Sequence, residues 1–194
     1  MSRTTLRELN GFDETPAKLA GSTLILIDFQ NTYTQGVMEL DGWEASLDAA
    51  VLLLARAREQ GTKVVHVIND GGEGTPYDIR AEIGQIHPRL APVDGEPVVV
   101  KTAPNAFHGT DLGDHVTDGQ DVVIAGWMTH MCVAFTAQGA FLRGNRPTVV
   151  AEATATRSLP VAGTDLDACQ VHYSALATIA DLYGVVVTSQ KEIV

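Results

Sequence analysis

Hydrophobic residues along this chain fall into short unbroken runs, separated by segments in which they recur at helical spacing. Unbroken runs suit strands buried on both faces, and the spaced segments suit amphipathic helices. The run Ser22-Thr-Leu-Ile-Leu-Ile-Asp28 predicts a first strand that ends in a carboxylate. From about residue 44 to residue 60, Leu47, Ala50, Val51, Leu54 and Ala57 mark a helix, and Gly61 follows as its stop. Further strands are predicted at 63–68, 97–101, 121–125, 148–152 and 184–188. Helices are predicted near 110–116, from Cys132 to about Arg143, and over 165–182. Residues 69–96 carry Gly71, Gly72, Gly74, Pro76, Pro88 and Pro92 and read as a long surface excursion with one short helix. Loops of that length tend to be functional or mobile. Residues 1–20 read as a polar arm with one helical turn around Leu6, Leu9 and Phe12.

Alternating strands and helices with long crossovers define a parallel sheet covered by helices on both faces. The expected fold is a three-layer α/β/α, doubly wound six-stranded parallel sheet of order 3-2-1-4-5-6, forming one domain over residues 21–194 behind the arm at 1–20. With 194 residues, 45% of them hydrophobic, the chain can bury one substantial core. Its formal net charge of −11 argues against nucleic acid and anionic membrane as partners. No apolar stretch is long enough to span a bilayer, and the first twenty residues lack a charged-then-apolar signal pattern. A cytoplasmic protein is therefore expected. Cys132 and Cys169 form no Cys-x-x-Cys pair and no disulfide framework.

Doubly wound sheets place ligands at the carboxyl ends of their strands, where the strand order reverses. Three reactive side chains fall at such ends: Asp28 after the first strand, Lys101 after the third, and Cys132 opening the helix after the fourth. A helix N-terminus and a nearby ammonium both favour thiolate, the nucleophilic form. A carboxylate beside them can take the thiol proton and later deliver it to a leaving amine. Each residue also has an ordinary reading. A single cysteine is commonly a small inert hydrophobe, an aspartate after a strand is commonly a turn residue, and a lysine ending a strand commonly reaches solvent. Position alone leaves both readings open.

Three blocks carry a resemblance. They are Leu24-Ile-Leu-Ile-Asp28-Phe-Gln30, then Val98-Val-Val-Lys101 with Phe107 and Gly109-Thr110-Asp111-Leu112, and finally Gly126-Trp-Met-Thr-His-Met-Cys132-Val133 with Thr136 and Ala140. In order and spacing they resemble the signature blocks of the isochorismatase-like cysteine hydrolases, from about residue 20 to the C-terminus; Thr154-Ala-Thr-Arg157 adds to the likeness. The resemblance implies hydrolysis of a small amide, carbamoyl compound or lactam. Cys132 would be the nucleophile that forms a thioester, Asp28 the general base and acid, and Lys101 the cation that holds the aspartate. It also implies a cis peptide at Trp127–Met128, directing the N–H groups of Met128 and Cys132 toward an oxyanion. Members commonly associate, so a homo-oligomer is expected.

The stretch from Phe29 to Gly36 lacks the Asp-x-His cluster of the family's nicotinamidases, so no metal and no cofactor is expected. The six histidines show no ligand spacing, and no Gly-x-Gly-x-x-Gly turn joins a strand to a helix. Phe107, Trp127 and His130 adjoin the blocks and are candidate substrate contacts, with plain core packing as the competing reading for the two aromatics. Cys169 is read as structural. Two other functions stay open: vinyl-ether hydrolysis of isochorismate with Asp28 as general acid, and a non-catalytic oligomeric scaffold.

Overall fold

The computed structural model describes residues 4–193; residues 1–3 and 194, at the ends of the expected arm and domain, lie outside the described residues. The centre of the sheet is β1 (Thr23–Ile27), buried at every position. Its side chains alternate. Leu24 and Leu26 enter one core cluster with Leu47, Leu53 and Leu54, whereas Ile25 and Ile27 enter a second with Val133, Ala137, Leu176 and Ile179. Period-2 geometry thus gives one short apolar run two cores to fill.

β2 (Lys63–Asn69) and β4 (Asp121–Trp127) flank β1 in parallel register, Thr23 standing opposite both Lys63 and Val122. β3 (Val98–Lys101), β5 (Arg146–Ala155) and β8 (Val185–Val187) complete the sheet in the order β3-β2-β1-β4-β5-β8. All five pairings are parallel. With β8 as the sixth strand along the chain to join this sheet, the order is the expected 3-2-1-4-5-6. The chain reverses direction of winding between β1 and β4, so their carboxyl ends frame the crevice where such folds bind ligands.

Helices cover both faces. The arm holds α1 (Leu6–Leu9), and α2 (Trp43–Glu59) packs Leu47, Ala50, Leu53 and Leu54 onto the first core cluster. A single turn, α3 (Leu112–His115), precedes β4. α4 (Ala134–Leu142) and α5 (Ala168–Thr178) cover the other face. The predicted helix over 165–182 starts later, because Asp167 caps α5 through the Gln170 amide and residues 164–166 are extended. The excursion at 69–96 carries two single 3-10 turns, Glu82–Gly84 and Pro88–Leu90, where one short helix was expected.

Two features went unpredicted. Leu159–Val161 (β6) and Thr164–Leu166 (β7) form an antiparallel hairpin outside the main sheet. Its two-residue turn, Ala162 at φ 48° and Gly163 at φ 78°, has the positive φ pair of a type I′ turn. β5 also runs on to Ala155, and its register with β4 shifts from Ile124↔Val149 to Gly126↔Thr154. That irregularity carries residues 154–157 back to the carboxyl end of β4.

The two-core arrangement sets an expectation for stability. Leu26→Ala, at a position only 2% exposed, is expected to lower unfolding free energy by about 2–5 kcal/mol. Val98→Ala, at a position 40% exposed on the edge strand, is expected to change it by no more than about 0.5 kcal/mol. Urea denaturation followed by circular dichroism measures both; equal losses would contradict this assignment of the core.

Candidate active site

Asp28 leaves β1 with φ 52°, a left-handed conformation that aspartate tolerates better than most residues. Its amide donates to the Val67 carbonyl at 2.8 Å, and its own carbonyl accepts from the Gln30 amide at 2.7 Å. The chain thus turns sharply over the sheet edge. Gln30, fully buried, ties the ends of β1 and β2 together. Its Nε2 donates to the Asn69 and Gly84 carbonyls at 3.0 and 2.7 Å, and its Oε1 accepts from the Asn69 amide at 2.9 Å.

The three separated residues meet. Lys101 Nζ lies 2.7 Å from Asp28 Oδ2 and 3.3 Å from Cys132 Sγ, with Asn69 Oδ1 at 3.4 Å. The side chains of Asp28 and Lys101 are fully buried, and Cys132 is 7% exposed. Despite the close ammonium, neither Asp28 oxygen receives a well-aligned hydrogen bond from Lys101. Cys132 sits in a π-helical turn, Thr129–Val133, which leads directly into α4. The preceding Trp127–Met128 peptide is cis.

Gly126 makes this approach possible. At φ 155° it lies so close to β1 that a Cβ would stand 2.4 Å from the Ile27 carbonyl oxygen and 2.7 Å from Ile27 Cβ. On the other side, Thr136 of α4 accepts the Ala106 amide at 3.0 Å, holding the loop after Lys101 against the helix after Cys132.

Burial dominates the electrostatics. It raises the Asp28 carboxyl above the ordinary 3.8, against the pull of the Lys101 charge. Burial and then the Asp28 charge push the Cys132 thiol above the ordinary 9.0, with Lys101 opposing. Burial works against the Lys101 ammonium, but Asp28 and Cys132 outweigh it and raise its pKa. This corrects the expectation of a free thiolate: desolvation and the carboxylate outweigh the ammonium. Carboxyl and thiol are thus both pushed toward their protonated forms beside an ammonium that its neighbours favour.

Sequence reasoning missed Tyr33 and Tyr77. Tyr33 is buried, its ring 5.7 Å from that of Tyr77 and edge-on to it. Burial, then the Asp28 and Cys132 charges, push the Tyr33 hydroxyl upward. Tyr77 rises for the same leading reason and feels the same two charges, so the excursion at 69–96 brings an aromatic hydroxyl to the site.

The other candidates separate. Trp127 is fully buried, donates from Nε1 to Ser46 Oγ at 2.8 Å, and packs edge-on to Phe29 at 4.8 Å. It is a core aromatic, not a substrate wall; strand alternation places it beside Val123 and Ala125 on the α2 face. Phe107 is half-buried against the cluster that contains Cys132, with the Arg143 guanidinium 5.1 Å over its ring. His130 holds Thr156 Oγ1 at 2.6 Å through Nδ1. It borders an open groove of about 630 Å3 beside the hairpin, whose lining does not include the three central residues. Another groove, of about 590 Å3 between α2, β5 and α5, likewise omits them, so the larger hollows are not the chemical centre. Cys169 is exposed in the second groove. Among the described residues no three His, Cys, Asp or Glu side chains cluster to ligate a metal, and no helix is long and apolar enough to cross a membrane.

A buried acid, cation and thiol thus meet at the switch point of a doubly wound sheet. The isochorismatase domain family matches residues 22–191, and the chain belongs to that family of hydrolases. The secreted isochorismatase effector Isc1 of Verticillium dahliae is 31% identical, over 96% of this chain and 97% of its own length. Maleamate amidohydrolase of Pseudomonas putida is 32% identical, over 93% of this chain and 86% of its own. A crystal structure of an isochorismatase from Pseudomonas putida KT2440 superposes with a TM-score of 0.95 at 34% identity, covering 100% of both chains.

These opposing influences make a signed prediction. Asp28→Asn removes a charge that holds the Cys132 thiol up, so the pH midpoint for iodoacetamide labelling of Cys132 is expected to move down. Lys101→Met removes the opposing charge, and the midpoint is expected to move up. Peptide mass spectrometry of the Cys132 peptide, with labelling rates compared across pH against the wild-type protein, follows both variants. Shifts in the opposite directions would disprove this electrostatic account.

Proposed function

We propose that the protein hydrolyses a small-molecule C–N bond, in an amide, carbamoyl compound or lactam, through a thioester on Cys132. The observation that carries this reading is the contact of Lys101 Nζ with both Asp28 Oδ2 and Cys132 Sγ. The likeness to maleamate amidohydrolase supports it.

Asp28 removes the Sγ–H proton as Sγ attacks the carbonyl carbon, whose π electrons move to oxygen. The transfer turns a carboxylate and thiol into a carboxyl and thiolate, so no net charge is created in the buried site. Lys101 stabilises whichever partner is negative. The N–H groups of Met128 and Cys132 receive the oxyanion. When the intermediate collapses, the C–N bond breaks and Asp28 returns the proton to the leaving nitrogen. Water then attacks the thioester, gives a proton to Asp28, and displaces the sulfur, which recovers that proton as thiol. His130 and Phe107 border the bound substrate. A second copy of the chain completes a homo-oligomer, and the protein works in the cytoplasm on a small molecule without metal or cofactor.

A panel of amides, carbamoyl amino acids and lactams tests the assignment. Cys132→Ala is expected to abolish turnover, and Asp28→Asn to lower kcat by about 10²–10⁴-fold. Isochorismate turnover that survives Cys132→Ala would replace this mechanism with vinyl-ether hydrolysis. In the wild-type enzyme, kcat/KM is expected to fall on an acid limb above the ordinary carboxyl value of 3.8, where the site takes a second proton. It is expected to fall again on an alkaline limb above 9.0, where the Cys132 thiol loses its proton. A limb centred near 6.5 would implicate a histidine instead.

A further inference from the structure

A substrate must reach the thiol, yet Cys132 is only 7% exposed and the two grooves described above pass it by. A smaller groove, of about 450 Å3, opens between residues 32–38 and 74–83, with Thr32, Gln35, Met38, Pro76 and Ile83 in its lining. Two of these residues adjoin tyrosines in the chain: Thr32 precedes Tyr33, and Pro76 precedes Tyr77. The two rings meet edge-on at 5.7 Å. Tyr33 is the inner one, fully buried and also edge-on to Trp127. Tyr77 is the outer one, half-buried against the same core cluster. Both hydroxyls feel the Asp28 and Cys132 charges, so the pair sits where the groove approaches the acid and thiol.

Tyr77 is not carried by a loose loop. The Asp70 amide donates to the Lys101 carbonyl at 2.9 Å, which roots the segment at the end of β3. The Gly71 amide donates to the Tyr77 carbonyl at 3.2 Å and closes the loop on itself. A side chain at residue 71 would crowd the tyrosine, because a Cβ there would stand 2.8 Å from Thr75 Oγ1 and 3.0 Å from Tyr77 Cβ. The Asp78 carboxylate accepts the Gly74 and Arg80 amides at 2.8 and 3.0 Å. The Arg80 guanidinium then bridges Asp78 at 2.6 Å and Asp70 at 3.2 Å. Behind Asp78, Gly84 packs so closely that a Cβ would meet the Asp78 carbonyl oxygen at 2.3 Å. Gln30, two residues after Asp28, holds the Gly84 carbonyl at 2.7 Å. The backbone under Tyr77 is thus tied to the strand ends that carry Asp28 and Lys101.

A ring on fixed backbone, wedged against a buried neighbour, discriminates by exclusion, because overlap costs more than an added apolar contact returns. We propose that Tyr77 is a specificity-determining residue whose ring limits the space over Cys132 Sγ, so that the site takes compact substrates and turns away those with an aryl or branched group beside the scissile C–N bond. The inference rests on the reading of Cys132 as nucleophile. It gives Tyr77 a part in selecting the substrate and none in bond breaking.

Two alkylating agents with one reacting group and different bulk provide the test. Iodoacetamide is compact; N-benzyliodoacetamide adds an aryl group on the amide nitrogen. Peptide mass spectrometry gives the ratio of the benzyl rate to the parent rate at each cysteine, and exposed Cys169 serves as the internal reference. In the wild-type protein the ratio at Cys132 is expected to lie below that at Cys169. Tyr77→Ala is expected to raise the Cys132 ratio about tenfold or more and to leave the Cys169 ratio alone. Tyr77→Phe keeps the ring and is expected to keep the wild-type ratio. Should circular dichroism show that Tyr77→Ala does not fold, Tyr77→Leu carries the same test with a smaller rise expected. An unchanged Cys132 ratio in the folded Ala or Leu variant, or an equal rise in Tyr77→Phe, overturns the steric assignment and leaves the nucleophile in place. Failure of both reagents to modify Cys132 at any pH, in wild type and variants alike, removes the nucleophile, and this inference with it.

Discussion

A single buried ammonium organises this protein's centre. Lys101 Nζ touches a carboxylate oxygen and a sulfur, with both ionic side chains out of solvent. Taking two such charges from water costs several kcal/mol each, and only a close partner in fixed geometry offsets it. The fixing comes from the sheet. Asp28 and Lys101 close strands separated by β2 alone, and Cys132 follows the strand on the opposite side of β1. No residue of the three can move without moving a strand end. The thiol responds to the same balance: the carboxylate raises its pKa, the ammonium lowers it, and burial raises it further. In the proposed reaction the proton passes between sulfur and oxygen, and the total charge of the site does not change.

The surroundings follow from that demand. β1 and β4 must approach closely, and Gly126 removes the side chain that would meet the Ile27 carbonyl. The end of β2 must stay in register with β1, and the buried Gln30 secures it through three hydrogen bonds to Asn69 and Gly84. Asn69 in turn offers its Oδ1 to Lys101. The buried Gln30 staples the backbone of Asn69, and the Asn69 side chain is part of the ammonium's environment.

Much of this was legible in the chain because it depends on period and order. Unbroken apolar runs at 22–28, 63–68 and 121–125 mark strands buried on both faces, and the end of each run places its polar residue at the rim. The same rule, carried one step further, puts Trp127 in phase with Val123 and Ala125 and hence in the core under α2. The hairpin was illegible because three-residue strands have no measurable period, and Ala162 enters a left-handed turn without the usual Asn or Gly signal. The protonation state was illegible for another reason. Sequence names the charges near a thiol, but the desolvation that decides its pKa depends on how closely the chain folds around it. Tyr77 depends on a long irregular excursion, which leaves no periodic trace.

These sources of order divide the labour. The strand ends, held by hydrogen-bonded registers and two filled cores, fix the acid, cation and thiol. Tyr77, which feels the Asp28 and Cys132 charges, comes from outside the ladder, in the excursion at 69–96. A loop can change length or composition without disturbing a core, so selectivity placed there varies freely while chemistry placed on strands does not. The ends of β1, β3 and β4 hold the acid, cation and thiol in place, and the loops around them are free to differ.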